Sequence, residues 1–365
     1  MGYHRRVASS RTALRAAISL ALAALLLVLF LRTLDFAAVG RAIAHAHVGW
    51  LALATGAGLI GTPLVRSWRW ALLLRKAGRP SALQLNSATS IGFAASTLLP
   101  ARAGEIVRPV VLARTAGLPV APCLASIALE RLIDLVTVIV LFVVYALGWT
   151  PSGMGGDEAG RFELLRRSAF LLGLLTLSGL AFLGFLAAKR ERTDRLLKPL
   201  LGPLPAKIGA KAESILVSFL DGLGSLGSLR DALVVTAASL FLWSIIAFQI
   251  WATLHAFDLV FPFPVTYFVL TWAVLGLAIP TPGGVGGYHA AVAYSLTGFY
   301  GVAKNTAAAF ALVSHALSFV PITLIGLVFL VLGGFSLRSL ATEREPSSSP
   351  SPTPPDAPPA SRRPA

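Results

Sequence analysis

The scarcest thing in this chain is charge. Only 13% of its 365 residues are Asp, Glu, Lys or Arg, about half the quarter or so that soluble domains carry. Acids are scarcer still, 16 against 31 Lys and Arg. With 56% hydrophobic residues and a mean hydropathy of +0.76, a soluble globular domain is excluded. A single cysteine, Cys123, excludes an intramolecular disulfide and a cysteine-based metal cluster. It opens an apolar run and reads as a small buried thiol. No H-E-x-x-H, G-x-S-x-G or P-loop pattern occurs, nor a second region large enough to fold alone. No enzyme activity, cofactor or metal is therefore expected.

What is present instead is a series of long apolar runs. Only helices of about 18 or more apolar residues satisfy their backbone across hydrocarbon, so the expected fold is an all-α polytopic membrane protein. The net charge of +15 does not point to nucleic acid, because the basic residues lie between apolar runs, where they orient a membrane chain. Six stretches read as full spans: 13–31, 48–65, 121–147, 168–187, 231–257 and 307–332. The first follows a basic arm, residues 1–12, but is too long for a signal-peptide core and lacks a small-residue cleavage site, so it reads as a retained span. Two further stretches, 83–100 and 265–301, are interrupted by Pro, Gly and polar residues.

Basic residues set the sidedness. The N-terminal arm, the run Arg66, Arg69, Arg75, Lys76 and Arg79, and the dense cluster in 188–211 all read as cytoplasmic. Residues 101–119 are then inside as well, so 83–100 begins and ends on one side. Eighteen residues reach about 27 Å, one crossing and not two. The stretch 83–100 is therefore expected to be a re-entrant hairpin entered from the cytoplasm, and 265–301 its counterpart from outside. The halves become an inverted repeat of about eight membrane segments, with Leu99-Pro100 opposite Ile279-Pro280 and Gly104 opposite Gly284. Broken helices at matching positions of two halves point to a transporter site near the midplane. Residues 207–229 have helical apolar spacing and read as a cytoplasmic interfacial helix; the Ser/Pro-rich residues 336–365 read as a disordered cytoplasmic tail.

Four groups of residues could carry chemistry. Arg66, Trp68, Arg69 and Trp70 read first as a positive flank with an aromatic belt, with a lipid-headgroup contact as the other reading. Gly222 to Gly227 fits G-x-G-x-x-G, but without the strand that the dinucleotide motif needs it reads as a helix end. Arg102, Glu105 and Arg108 surround Gly104 after Pro100. They are either a solvated loop or arginines presented to an anion at a helix break, where end dipoles and free backbone groups add ligands. Arginine suits bidentate phosphate recognition. Glu130, Arg131 and Asp134 begin about 13 Å into a span. Glu130 and Asp134 share a face and Arg131 is placed to pair with Asp134. They lock helices together, form an anion site balanced by carboxylates, or do both. The sharpest break is Pro280-Thr-Pro282-Gly283-Gly284-Val-Gly286-Gly287, and beyond it His289 and His315 sit in apolar surroundings. Each reads as a satisfied core histidine or, together, as a proton relay.

Leu99-Pro-Ala-Arg-Ala-Gly-Glu-Ile-Val-Arg108, Glu130-Arg-Leu-Ile-Asp134 and Pro280-Thr-Pro-Gly-Gly-Val-Gly286 together resemble the three signatures of the lysylphosphatidylglycerol synthase transmembrane-domain family, the flippase-like membrane proteins. The resemblance covers roughly residues 14–335. It implies a helical bundle in the bacterial inner membrane, residues 13–335, that moves a phospholipid or polyprenyl-phosphate-type lipid between leaflets. Lipid phosphate would lie on Arg102, Arg108 and Arg131, with Glu105, Glu130 and Asp134 balancing or gating. The alternatives are a lipid-binding, non-transporting subunit of a lipid-modifying or glycosyl-transfer system, whose enzyme is encoded separately, and a secondary transporter of a small anion. The residues after 335 leave no room for a fused synthase domain, so aminoacyl transfer is not expected. The family commonly has an acid after the Gly-rich break and an arginine in the last span, where His289 and His315 stand here.

Overall fold

The computed structural model describes residues 2–100, 102–149, 156–188 and 228–334, and among these every regular element is helical. In chain order they are α1 (Gly2–Leu31), α2 (Phe36–Ala44), α3 (Val48–Leu59), a π turn (Ile60–Val65), α4 (Arg66–Leu73), α5 (Ala82–Leu98), α6 (Gly104–Ala116), α7 (Val120–Gly148) and α8 (Gly156–Ala188). Then come α9 (Leu229–Ala256), α10 (Val265–Ala278), a 3-10 turn (Pro282–Gly284), α11 (Gly287–Tyr300) and α12 (Lys304–Leu332). Val48–Leu73, Gly160–Phe182, Arg230–Ala256 and Lys304–Leu332 are long and apolar enough to cross a membrane. Ala17–Leu31 and Phe36–Ala44, bent by 86°, make a fifth candidate if counted as one span. This is a multi-pass membrane protein. The segment 121–147 is the continuous helix α7, with its three charges in the first half. The stretches 189–227 and 336–365, which hold most of the expected interfacial helix, the Gly222–Gly227 pattern and the tail, lie outside the described residues.

The second span runs on past its expected end. Pro63 has no N–H to give and its ring crowds the carbonyl four residues back; the chain accommodates it in a π turn, the wider geometry that absorbs such an interruption. Helix then resumes through α4, whose buried residues are Arg66, Ser67, Arg69, Trp70 and Leu73. Sequence hydropathy ends this span at Arg66 because a charge normally marks the membrane edge; here the charge turns inward.

The stretch 83–100 is not itself a hairpin. Ser81 and Gln84 form a capping box (Ser81 N–H to Gln84 Oε1 2.8 Å, Gln84 N–H to Ser81 Oγ 3.3 Å), and α5 then runs unbroken to Leu98. Thr97, Thr89 and Ser87 within it find partners, as when Thr97 Oγ1 donates to Phe93 O at 3.0 Å, whereas Asn86 Oδ1 and Ser90 Oγ are buried without one. The turn comes at 99–103, and α6, placed by sidedness in a cytoplasmic loop, is the returning leg. Its close approach rests on small residues. A Cβ on Gly104 would collide with the Gly92 carbonyl and Ser96 Oγ, and one on Gly92 would stand 2.6 Å from Arg108 Cβ.

The second pair, α10 and α11, is built the same way around 279–286. A Cβ on Gly276 would lie 2.5 Å from Gly287 O, and one on Gly287 would lie 2.6 Å from Gly276 O. Both breaks open with an extended residue before proline, Leu99 (ψ 147°) and Ile279 (ψ 125°), the conformation that proline imposes on its predecessor. Gly286 (φ 84°) pairs a left-handed backbone with contact against α1, where a Cβ would meet Leu26 Cβ at 2.5 Å; no side chain fits there.

Around these pairs, α3 packs on α9, α5 on α12, and α7 on α6, α8 and α10. One apolar cluster, centred on Tyr145, Phe268, Leu296 and Phe310, joins the second broken pair to α7 and α9. A smaller one, including Trp70, Ile91, Val111 and Cys123, surrounds the first pair. Cys123 is free and buried, as expected.

Candidate functional site

Between the two clusters lies a set of charges drawn from three helices. Glu130 of α7 is fully buried, and one of its oxygens, Oε1, accepts from Arg131 (2.5 Å), Arg108 of α6 (2.7 Å) and Arg66 of α4 (3.2 Å). Asp134, one turn further along α7, takes Arg69 at 2.6 Å, Arg66 at 3.0 Å and Arg131 at 3.3 Å. Trp243 of α9 donates its indole N–H to Asp134 Oδ1 at 3.0 Å, and Arg69 donates to Ser239 Oγ at 3.0 Å. The Arg108 guanidinium lies 4.0 Å from the centroid of the Trp70 ring, a cation–π contact strengthened by burial. The indole of Trp70 is itself tied to Ser126 Oγ at 2.8 Å.

The balance of this cluster is uneven. Arg66, Arg69, Arg108 and Arg131 face two carboxylates, a formal excess of two positive charges. Five guanidinium nitrogens, Arg66 Nε, Arg69 Nε and Nη2, and Arg108 Nε and Nη2, are buried without a hydrogen-bond partner, as is Glu130 Oε2. Each such group forfeits roughly 1–3 kcal/mol of desolvation. Three of the arginines are 5% exposed or less, whereas the Arg131 side chain is 42% exposed. Arg131 is thus the edge by which the cluster meets its surroundings.

The expected phosphate set of Arg102, Arg108 and Arg131 does not converge on one carboxylate. Arg108 and Arg131 meet on Glu130, but Arg102 sits at the tip of the first broken pair, in a left-handed conformation (φ 53°) that is strained for a residue with a side chain. Its guanidinium donates to the carbonyl of Leu277 near the end of α10 and lies 3.7 Å from Glu105. Glu105 stands between Arg102 and the cluster, since its carboxylate also acts on the charge of Arg131. The tips of the two broken pairs do touch. Besides Arg102 on Leu277, a Cβ on Gly283 would lie 3.4 Å from Thr97 Cγ2.

Arg66 and Arg69 are what sequence reading missed. A positive flank with an aromatic belt predicts side chains at the membrane edge, yet Arg69 is fully buried. Their carboxylate partners stand 64 and 68 residues further on from Arg66, beyond any local pattern. The available signal was the spacing of Arg66, Arg69 and Trp70, which share one helix face.

His289 and His315 come together, ring centroids 4.6 Å apart, and both hold the second break. The Gly286 N–H donates to His289 Nδ1 at 3.2 Å, which leaves the His289 proton on Nε2. His315 Nε2 donates to Gly283 O at 2.7 Å. His315 also stacks on Phe319, and His289 on Phe30. Ser19 Oγ donates to Pro280 O at 2.6 Å, so α1 covers the same break. Among the described residues no group of His, Cys, Asp and Glu is arranged for a metal.

A family profile described as the lysylphosphatidylglycerol synthase TM region matches residues 16–326, a stretch that includes the whole charge cluster and both breaks. The chain is also similar to a protein described as Glycosyltransferase AglD, from Haloferax volcanii, with 27% identity over 281 residues. That match covers 71% of this chain and 45% of the relative, so the chain spans under half of that protein's length.

Proposed function

This chain belongs to the lysylphosphatidylglycerol synthase transmembrane family, and from that membership we propose that it is a membrane lipid translocase whose arginine cluster holds a lipid phosphate during passage between leaflets. The carrying observation is the five buried guanidinium nitrogens without a hydrogen-bond partner, of which Arg69 Nη2 has only an ion pair to Glu130 at 3.6 Å, in a cluster of net positive charge. A cluster that only locked α4, α6 and α7 together would be best served by matched charges, because any excess is an uncompensated desolvation cost. An anion with several acceptor oxygens supplies what these arginines lack, and phosphate offers the geometry that guanidinium forks match. Glu130 and Asp134 compete for the same donors and keep the phosphate from being trapped. The chain binds and releases without a covalent step, and is not an enzyme on this reading.

The topology that serves this function is six full spans with the two broken pairs as re-entrant hairpins, both termini being cytoplasmic in a bacterial inner membrane. The helix pairing supports an inverted repeat. Under a twofold exchange of halves, α5 on α12 corresponds to α10 on α7, α6 on α7 to α11 on α12, and α3 on α9 to itself. The contact between hairpin tips then lies near the midplane, where such folds bind their substrates. The similarity to a glycosyltransferase of Haloferax volcanii favours a second reading, a membrane part that presents a lipid to a separately encoded glycosyl-transferring or lipid-modifying enzyme.

Reconstitution in vesicles with headgroup-labelled lipids separates these readings. Translocation should accelerate with the native chain and return to the protein-free rate with Arg131→Ala, whose side chain is the exposed edge of the cluster. Lipid binding with no movement between leaflets supports the presenting role. Movement that is identical in Arg131→Ala contradicts the assignment of the cluster.

A further inference from the structure

We propose that the group bound at this cluster is a phosphomonoester in its doubly charged form, as on a polyprenyl monophosphate, and not the phosphodiester of a glycerophospholipid. This deepens the lipid-phosphate reading above and rests on it.

The inference comes from counting charges that are on one site and engaged nowhere else. Four guanidiniums against Glu130 and Asp134 leave an excess of two. No other acid with a described side chain is free to cancel it. Asp35 caps α2 through the N–H groups of Ala37 and Ala38. Glu163 pairs with Arg167, Asp231 with Arg75, and Asp258 with His47; Glu105 also acts on Arg131 but brings its own cation, Arg102, and so leaves the excess at two. A phosphodiester brings one negative charge and leaves the site one short. A phosphomonoester above its second ionisation, near pH 6, brings close to two.

The unpartnered donors agree with the charge. They are distributed over Arg66, Arg69 and Arg108, on two helices, so the ligand that satisfies them must present acceptors in more than one direction. A monoester has three terminal oxygens, each able to accept; a diester has two, its remaining two oxygens carrying carbon. Glu130 shows what currently fills that role. Its single oxygen Oε1 serves Arg66, Arg108 and Arg131 together, the crowding expected where a carboxylate occupies the place of a larger, more highly charged acceptor. Trp70 on Arg108 and Trp243 on Asp134 place two indoles where ligand entry changes their surroundings.

Calorimetric titration of the purified full chain in neutral detergent, with tryptophan fluorescence as a second readout, tests this with three probes: a short-chain polyprenyl monophosphate, phosphatidylglycerol and inorganic phosphate. At pH 8 the polyprenyl monophosphate should bind at least tenfold more tightly than phosphatidylglycerol. Its affinity should fall about tenfold between pH 8 and pH 5, following loss of the dianion, while that of phosphatidylglycerol stays level. Equal or tighter binding of phosphatidylglycerol, with no pH dependence for the monoester, overturns the proposal and leaves the lipid-phosphate reading standing. Inorganic phosphate matching the lipid monoester upholds the dianion and assigns it to a soluble source, against the lipid reading. Failure of all three probes to bind protein that still unfolds cooperatively removes both.

Discussion

Glu130 is the residue on which the charge cluster closes, and Arg131 the one through which it opens. Removing Glu130 leaves Arg66 and Arg108 without the oxygen they share and raises the excess charge to three. Breaking a buried ion pair by deleting one partner costs about 3–5 kcal/mol, so Glu130→Ala should lower the unfolding midpoint of the purified protein substantially. Arg131→Ala leaves Glu130 with three buried cationic partners, Arg66, Arg69 and Arg108, and removes a side chain that is 42% exposed; its stability cost should stay near 1 kcal/mol or less. Thermal unfolding of both variants in one detergent checks the pair. Equal losses would mean that Arg131 is as structural as its neighbours. At this scale the sequence was legible in part. The i, i+3 and i, i+4 relations of Glu130, Arg131 and Asp134 are written in it, because they lie on one helix. Arg66 and Arg69 are not, because their partners belong to a distant helix and a charge after an apolar run looks like the end of a span.

At the scale of elements, the placement of Arg108 depends on a glycine in another helix. Gly92 of α5 lies so close to α6 that a Cβ there would stand 2.6 Å from Arg108 Cβ and 3.3 Å from its Cα. Backbone cannot yield as a flexible side chain can. Gly92→Ala should push α6 outward at a cost of about 1–3 kcal/mol, the usual range for overpacking, and draw Arg108 away from Glu130. Lipid binding should weaken about tenfold or more. Gly56 of α3, where a Cβ would meet nothing within 4 Å, is the control: Gly56→Ala should leave binding unchanged and hold or raise stability, since alanine is the better helix former. Unaltered binding in Gly92→Ala would show that the spacing of α5 and α6 does not set the site. The breaks themselves were readable from Leu99-Pro100 and Pro280 to Gly287, because proline and glycine act locally. Which helix forms the return leg was not. Sidedness places 101–119 inside by counting crossings back from the basic cluster in 188–211, which puts both legs of the hairpin into 83–100 and leaves α6 as a loop.

At the scale of the whole molecule, composition alone fixes the class, since so little charge over 365 residues leaves no soluble fold. The pairing of helices between halves has no counterpart in local sequence and emerges only from packing. It brings the two breaks tip to tip and sets beside the first of them the cluster that gathers the buried Arg, Asp and Glu side chains among the described residues. The central claim is that these guanidiniums hold a lipid phosphate. The most direct test is solid-state NMR of protein with nitrogen-15 arginine in vesicles containing a polyprenyl monophosphate, measuring dephasing of the phosphorus signal by guanidinium nitrogen. The lipid phosphorus should dephase as expected for direct phosphate–guanidinium hydrogen bonds, and the effect should be lost in Arg131→Ala. The same dephasing in that variant, or none in the native chain, would contradict the claim.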